Sequence, residues 1–152
     1  MGRKKAKIQR KILIKRKKIT AGGKGFEQAL RKACKELLYL SESEAEIVPF
    51  FAVETVDGVR ETILRDVHVT KGSLIEERTH TEFFSRLTEV KDWFSTSAIE
   101  NARRFQKLQT LLEDNLDDLA VLRIGRIRID IYVAGTDRSG NLAGIMTKAV
   151  ET

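Results

Sequence analysis

Arg126 to Thr152 reads RIRIDIYVAGTDRSGNLAGIMTKAVET. In its first ten residues Ile127, Ile129, Ile131 and Val133 fall on one side of an extended chain. Arg126, Arg128, Asp130 and Tyr132 fall on the other. A period of two with β-branched residues specifies a half-buried strand. TDRSGN is dense in turn formers and reverses the chain, and LAGIMTKAV supplies a last strand. Ladder hydrogen bonds from Leu142 to Val150 would anchor the backbone almost to Thr152, leaving Glu151 and Thr152 on a rigid base. A fixed tip enters a partner with little ordering cost. The plainer alternative is a sheet edge with no further role.

Working outward, Phe26, Leu30, Ala33, Leu37 and Leu40 recur at helical spacing and predict a first amphipathic helix. IVPFFAVET, from Ile47 to Thr55, is a short β-branched and aromatic run that Pro49 places near a strand start or at an edge. Asp57-Gly58 supplies a positive-φ pair, so Val56 to Gly58 is expected to turn a hairpin into VRETILRDVHV. Thr79 followed by Glu82 fits a capping box opening TEFFSRL, and Ser97 followed by Glu100 fits another. The second opens a longer helix with Ala98, Ala102, Phe105, Leu108 and Leu112 as its buried stripe. The order helix, two strands, two helices, two strands predicts a mixed α/β fold, a sheet packed against helices with antiparallel hairpins at each end.

With 152 residues, 41% hydrophobic and 33% charged, the chain has the composition of one globular domain. Cys34 is the only cysteine and can form no internal disulfide. No apolar run approaches the roughly 18 residues of a membrane span, and the N-terminus has no secretory apolar region; a cytoplasmic location is expected. The net charge of +6 is divided. Residues 1–24 carry eleven basic groups and no acid, leaving 17 basic against all 22 acidic residues beyond them, a net of −5. Residues 1–25 therefore read as a basic, flexible arm ending in the glycine-rich AGGKG, and 26–152 as the folded domain. Arg3, Lys4, Lys5, Arg10, Lys11, Lys15, Arg16, Lys17 and Lys18 are candidate contacts to nucleic acid. Ile8, Ile12 and Ile19 also allow a membrane-surface helix. The plain alternatives are a solvated extension or residues ahead of the working start. No aromatic residue interleaves with these charges to stack on bases.

Catalytic signatures are weak. His68 and His80 lack cysteine or carboxylate neighbours at metal-ligand spacing and read as an exposed strand residue and a helix-start residue. GGKG lacks the full phosphate-loop frame. EDNLDD, from Glu113 to Asp118, lacks a calcium-loop glycine and reads as a helix end. Cys34 reads as core packing. Two stretches remain. SESE, Ser41 to Glu44, is either a helix-stop turn or a rigid loop presenting a carboxylate. KDWF, Lys91 to Phe94, holds the single tryptophan, Trp93, which reads as a core lid, with an exposed interface anchor as the alternative.

LLYLSESE, EFFSRLTEVKDWF, RFQKL, IDIYVAG and above all GNLAGIMTKAVET resemble the nuclease A inhibitor family. The resemblance spans Phe26 to Thr152 and leaves out the arm. It implies a three-layer α/β/α sandwich with a largely antiparallel sheet, and a protein that inhibits a sugar-non-specific, magnesium-dependent endonuclease without being an enzyme. By the same resemblance, Glu42 enters the nuclease active site as a mimic of the scissile phosphate. Thr152 brings its hydroxyl to the nuclease's metal ion, and Asp92 with Trp93 forms a second contact region. The magnesium is the nuclease's, and no cofactor of the chain's own is implied. FSTS, Phe94 to Ser97, is less acidic than the family tends to be, and Arg123, Arg126, Arg128 and Arg138 add positive charge near the last hairpin. The alternative function is nucleic-acid binding through the arm.

Overall fold

The computed structural model describes residues 23–53 and 57–152. The candidate nucleic-acid contacts from Arg3 to Lys18 lie outside the described residues. The elements in order are α1 (Gly23–Cys34), β1 (Leu38–Leu40), β2 (Glu44–Glu46), β3 (Val48–Ala52), α2 (Val59–Asp66), β4 (Ile75–Arg78), α3 (His80–Thr88), α4 (Thr96–Asn115), β5 (Asp117–Ile124), β6 (Arg128–Thr136) and β7 (Leu142–Val150). Strands β3-β7-β6-β5-β4 form one sheet, antiparallel at every pairing, and β1-β2 form a separate hairpin. Gly23 to Gly25, the end of the expected hinge, already belong to α1. Among the described residues no helix is long and apolar enough to cross a membrane.

Helices pack on both faces of the sheet because the central strands are apolar on both. Ile129, Ile131 and Val133 of β6 join Phe26 and Leu30 of α1, Phe84 of α3, and Phe105, Leu108 and Leu112 of α4 in one buried cluster. Tyr132 and Ala134, alternate residues of the same strand, join Val59 and Ile63 of α2 in the other. Tyr132 was expected on a solvated face. Instead it is buried, edge-on to Phe50 with ring centroids 5.0 Å apart, whereas Ile127 is exposed just ahead of the strand. A strand inside a sheet covered on both sides loses the polar alternation of a half-buried one.

Other departures have local causes. The first helix stops at Cys34 instead of continuing through Leu40. Glu36 takes a left-handed φ of 56°, a common way to end a helix, and the chain re-emerges as β1. Leu37 still reaches the core. Asp57 and Gly58 have the positive φ values expected, 62° and 93°, but they lead into a helix and not a hairpin strand. Gly58 O accepts the Thr62 N–H at 3.2 Å and the Thr62 hydroxyl at 2.7 Å. The residues buried on α2, Val59, Thr62 and Ile63, follow the helical period. His68 lies exposed in the turn after α2, also at positive φ. The long helix is capped by Ser95 and not Ser97: its Oγ accepts the Ala98 N–H at 3.2 Å, and Ala98 is only half-buried. Thr79 caps α3 as its sequence predicts, accepting the Glu82 N–H and donating to Glu82 Oε1, both at 3.1 Å. Cys34 is core, and burial pushes its thiol up to about 12.

Strand β7 fills the span predicted for it. Its Gly144 lies where β6 and β7 approach closely: an added Cβ would stand 2.0 Å from Val133 O and 2.6 Å from Ala134 Cα. Both obstacles are backbone, so the ladder itself must shift. Gly144→Ala is therefore expected to destabilise the fold by about 3 kcal/mol, the upper range of overpacking. Urea denaturation measures this, and a loss under about 0.5 kcal/mol, the scale of an inert surface change, would contradict the close approach.

Candidate functional site

The described C-terminus is held from both sides. β3 pairs with β7 only as far as Met146. Beyond it the β1-β2 hairpin takes over the open edge. Buried Thr147 donates its hydroxyl to Glu46 O at 2.9 Å, Ser41 Oγ accepts the Val150 N–H at 3.0 Å, and the Glu42 N–H reaches Val150 O at 3.2 Å. On the opposite side the Glu151 N–H donates to Ile127 O at 2.9 Å. Arg123 Nη2 donates to Glu151 Oε2 at 2.6 Å from an almost fully buried side chain.

At the tip the two residues implied by resemblance meet. The Thr152 hydroxyl donates to Glu42 Oε1 at 2.7 Å, and the Thr152 N–H donates to Oε2 at 2.5 Å. These two donors, the hydroxyl first, hold the Glu42 carboxyl below the usual carboxylate range. The serines make the turn that carries Glu42: the Ser41 N–H donates to Ser43 O at 2.8 Å. Each carboxylate oxygen keeps a lone pair for a further donor, and the Thr152 hydroxyl, having spent its proton, still presents acceptor lone pairs. Oxygen acceptors held on a stiff base suit a hard cation or the basic groups that bind a phosphate.

Asp92 and Trp93 occupy the turn between α3 and α4, closed by the Phe94 N–H to Lys91 O at 3.0 Å. Both are exposed, Trp93 at 77%, so the core-lid expectation is overturned. The turn sends Phe94 toward the body. Trp93 stands edge-on to it at 6.3 Å, with Lys91 Nζ 5.1 Å from its ring centre. Between this turn and the hairpin lies a cavity of about 500 Å³, lined by Leu38, Leu40 and Glu44 on one side and by Phe94, Ser97 and Asn101 on the other. A second, of about 420 Å³, is lined by Glu42, Glu151 and Arg123 among others. Glu42 and Thr152 are thus in contact, and the Trp93 turn faces their hairpin across a cleft.

Ser41 and Arg123 as supports of the tip were not legible in advance. Arg123 shows as one charged residue inside the apolar run LAVLRIG, a signal of a buried charge with a partner, but the sequence does not say that the partner is Glu151. Elsewhere His80 Nε2 sits 2.9 Å from Glu113 Oε2 at the start of α3. Among the described residues no group of three or more His, Cys, Asp or Glu could hold a metal ion.

The Glu42–Thr152 contact sets a pH dependence. A depressed carboxyl stabilises the contact fully above the usual carboxylate range and loses it as pH falls through the lower folded value. Removing Thr152 should return the Glu42 carboxyl to its usual range. A carboxyl-carbon NMR titration checks this, and an unmoved midpoint would contradict the contact.

No curated protein matches the chain. A family model described as nuclease A inhibitor-like protein matches residues 24–152. The match takes in the whole sheet, the hairpin with Glu42, the turn with Asp92 and Trp93, and the Thr152 tip. The chain belongs to the nuclease A inhibitor-like family.

Proposed function

We propose that the protein inhibits a sugar-non-specific, magnesium-dependent endonuclease by placing the Glu42–Thr152 tip in its active site. Glu42 takes the position of the scissile phosphate, and the Thr152 hydroxyl oxygen ligates the nuclease's magnesium. Asp92 and Trp93 add a second contact, and the protein itself performs no catalysis. The observation that carries this reading is the pair of hydrogen bonds from Thr152 to the two Glu42 oxygens. They gather two kinds of oxygen at one fixed point, as a metal nuclease's ligand does. Such an enzyme stabilises negative charge with a hard cation and basic side chains. The net −5 of the chain beyond residue 24 suits attraction to a basic substrate groove.

In a mixing assay, excess protein should silence a non-specific magnesium nuclease, and the two should co-elute on gel filtration. A fully active nuclease with no complex would end the proposal. Deleting Thr152, or extending the chain past it, should weaken inhibition strongly. Glu42→Gln and Trp93→Ala should each weaken it by about thirtyfold, the scale of a binding hot spot. Undiminished potency with a tagged C-terminus would rule out metal ligation by Thr152 while leaving occlusion standing.

A second reading comes from the eleven basic groups in residues 1–24: a nucleic-acid-binding arm joined to the inhibitor. A chain starting at Gly23 should keep inhibition and lose salt-sensitive binding to DNA or RNA, measured by fluorescence anisotropy over a salt series. Equal nucleic-acid binding by both chains would remove the arm's role.

A further inference from the structure

The cavity of about 500 Å³ between the β1-β2 hairpin and the α3-α4 turn is used by no contact described so far. Its walls are apolar and partly open to solvent: Leu40 is 61% exposed, Leu38 is also exposed, and Phe94 and Leu87 are half-buried. The carboxylates of Glu36, Glu44 and Glu89 stand around it against one guanidinium, that of Arg86, a formal balance of −2. Glu89 lies 3.8 Å from Lys91. Among the described residues Glu36, Glu44 and Arg86 make no side-chain hydrogen bond or ion pair. An apolar centre whose rim carries two unpaired carboxylates, Glu36 and Glu44, has the anatomy of an interface core awaiting a cationic group.

The cavity also lies between the two proposed contact regions. Leu40 and Arg86 line both it and the neighbouring cavity of about 420 Å³ that Glu42 and Glu151 line, and Phe94 belongs to the Trp93 turn. A body seated on both the tip and Trp93 would therefore cover it. We propose that the cavity receives an arginine from the substrate groove of the nuclease; this rests on the inhibitor reading above. A nuclease indifferent to base and sugar holds its substrate by the phosphodiester backbone, chiefly with arginine and lysine. An arginine stem can lie along Leu38 and Leu40, its plane can stack on Phe94, and its fork can meet the carboxylate of Glu44, which pairs with Leu40. Glu36 adds negative charge at the far end of the cavity. The inhibitor thereby engages a group that otherwise grips substrate, beyond the one phosphate position that Glu42 occupies.

The test is the binding kinetics of the full chain with an inhibited nuclease at several ionic strengths. Glu36→Gln/Glu44→Gln should raise Kd about tenfold or more and flatten the salt dependence of association. Leu40→Ala should raise the dissociation rate with association unchanged. Glu61→Gln/Asp66→Asn, which removes the same charge from exposed positions of α2, should leave all these constants near wild type. All four positions altered toward neutral are exposed, and thermal melts confirm folding. Wild-type constants for both cavity variants, with wild-type inhibition intact, would overturn the cavity's role and leave the inhibitor reading standing. An equal effect from the α2 pair would overturn it too, assigning the loss to net charge alone. A dimer of the free protein that Leu40→Ala dissociates, with nuclease binding unaltered, would give the cavity to a second copy and overturn it. A wild-type chain that does not bind the nuclease removes both proposals together.

Discussion

Strand β7 is longer than its neighbour. β3 pairs with its first five residues, from Leu142 to Met146, and four more continue to Val150. An unpaired edge is an open template for other chains and is normally covered or blunted. Here the cover is the β1-β2 hairpin, which satisfies Val150 with Ser41 Oγ and the Glu42 N–H, and takes the Thr147 hydroxyl on Glu46 O. Glu42 stands beside Thr152 because its hairpin is the piece that closes this edge. One structural need thus delivers an acidic side chain from position 42 and a hydroxyl from position 152 to the same place.

What holds the tip still is a different matter from what brings it together. The Glu42–Thr152 hydrogen bonds are solvent-exposed, and exposed charged contacts contribute little and are screened by salt. The rigidity comes from beneath. The Val150 N–H and C=O face the hairpin, the Glu151 N–H faces Ile127, and the Glu151 carboxylate is tied to Arg123. Arg123 is costly to bury: its Nε has no partner among the described residues, and a buried ion pair is often no more stable than an apolar substitute. Its value lies in geometry. A guanidinium fixed among core residues offers the Glu151 side chain one direction and so ties down the residue next to Thr152.

Much of this was legible in the sequence because it depends on periodicity and local chemistry. The span of β7, the cap at Thr79, the edge strand with Pro49 and the buried stripe of the long helix from Ala102 to Leu112 are of that kind. The failures are equally physical. VRETILRDV carries apolar residues compatible with either period, and Asp57-Gly58 with positive φ opens a helix as readily as a hairpin. Leu37 and Leu40 continue the helical spacing of α1, but a left-handed Glu36 breaks it, which no propensity forces. Tyr132 looks solvated until α2 is known to cover that face. Trp93 is exposed because the neighbouring Phe94 turns inward, a choice between adjacent aromatics that composition does not make. Family resemblance singled out Glu42 and Thr152 separately, but their direct hydrogen bonds across 110 positions came only from the structure, since no local rule connects them. Ser41 and Arg123 became visible only through the register.

The free tip also limits what can dock on it. Thr152 spends its hydroxyl proton and its N–H on Glu42, so the oxygens left facing outward offer lone pairs and few donors. Phosphates and carboxylates are acceptors as well, and a surface of acceptors repels them. Cations and fixed N–H donors are attracted. The acidic rim around Leu40 extends the same preference toward Trp93, while Trp93 and Leu40 supply apolar area at a desolvation cost that charges alone would raise. A partner docking as proposed would therefore combine a hard cation or clustered basic groups with an apolar patch at the correct spacing. Groove charge alone satisfies the first condition and not the second, and an apolar patch alone satisfies the second and not the first. In the proposed inhibition both conditions would have to be met together by one face of the nuclease, because the tip and the Trp93 turn belong to one rigid body.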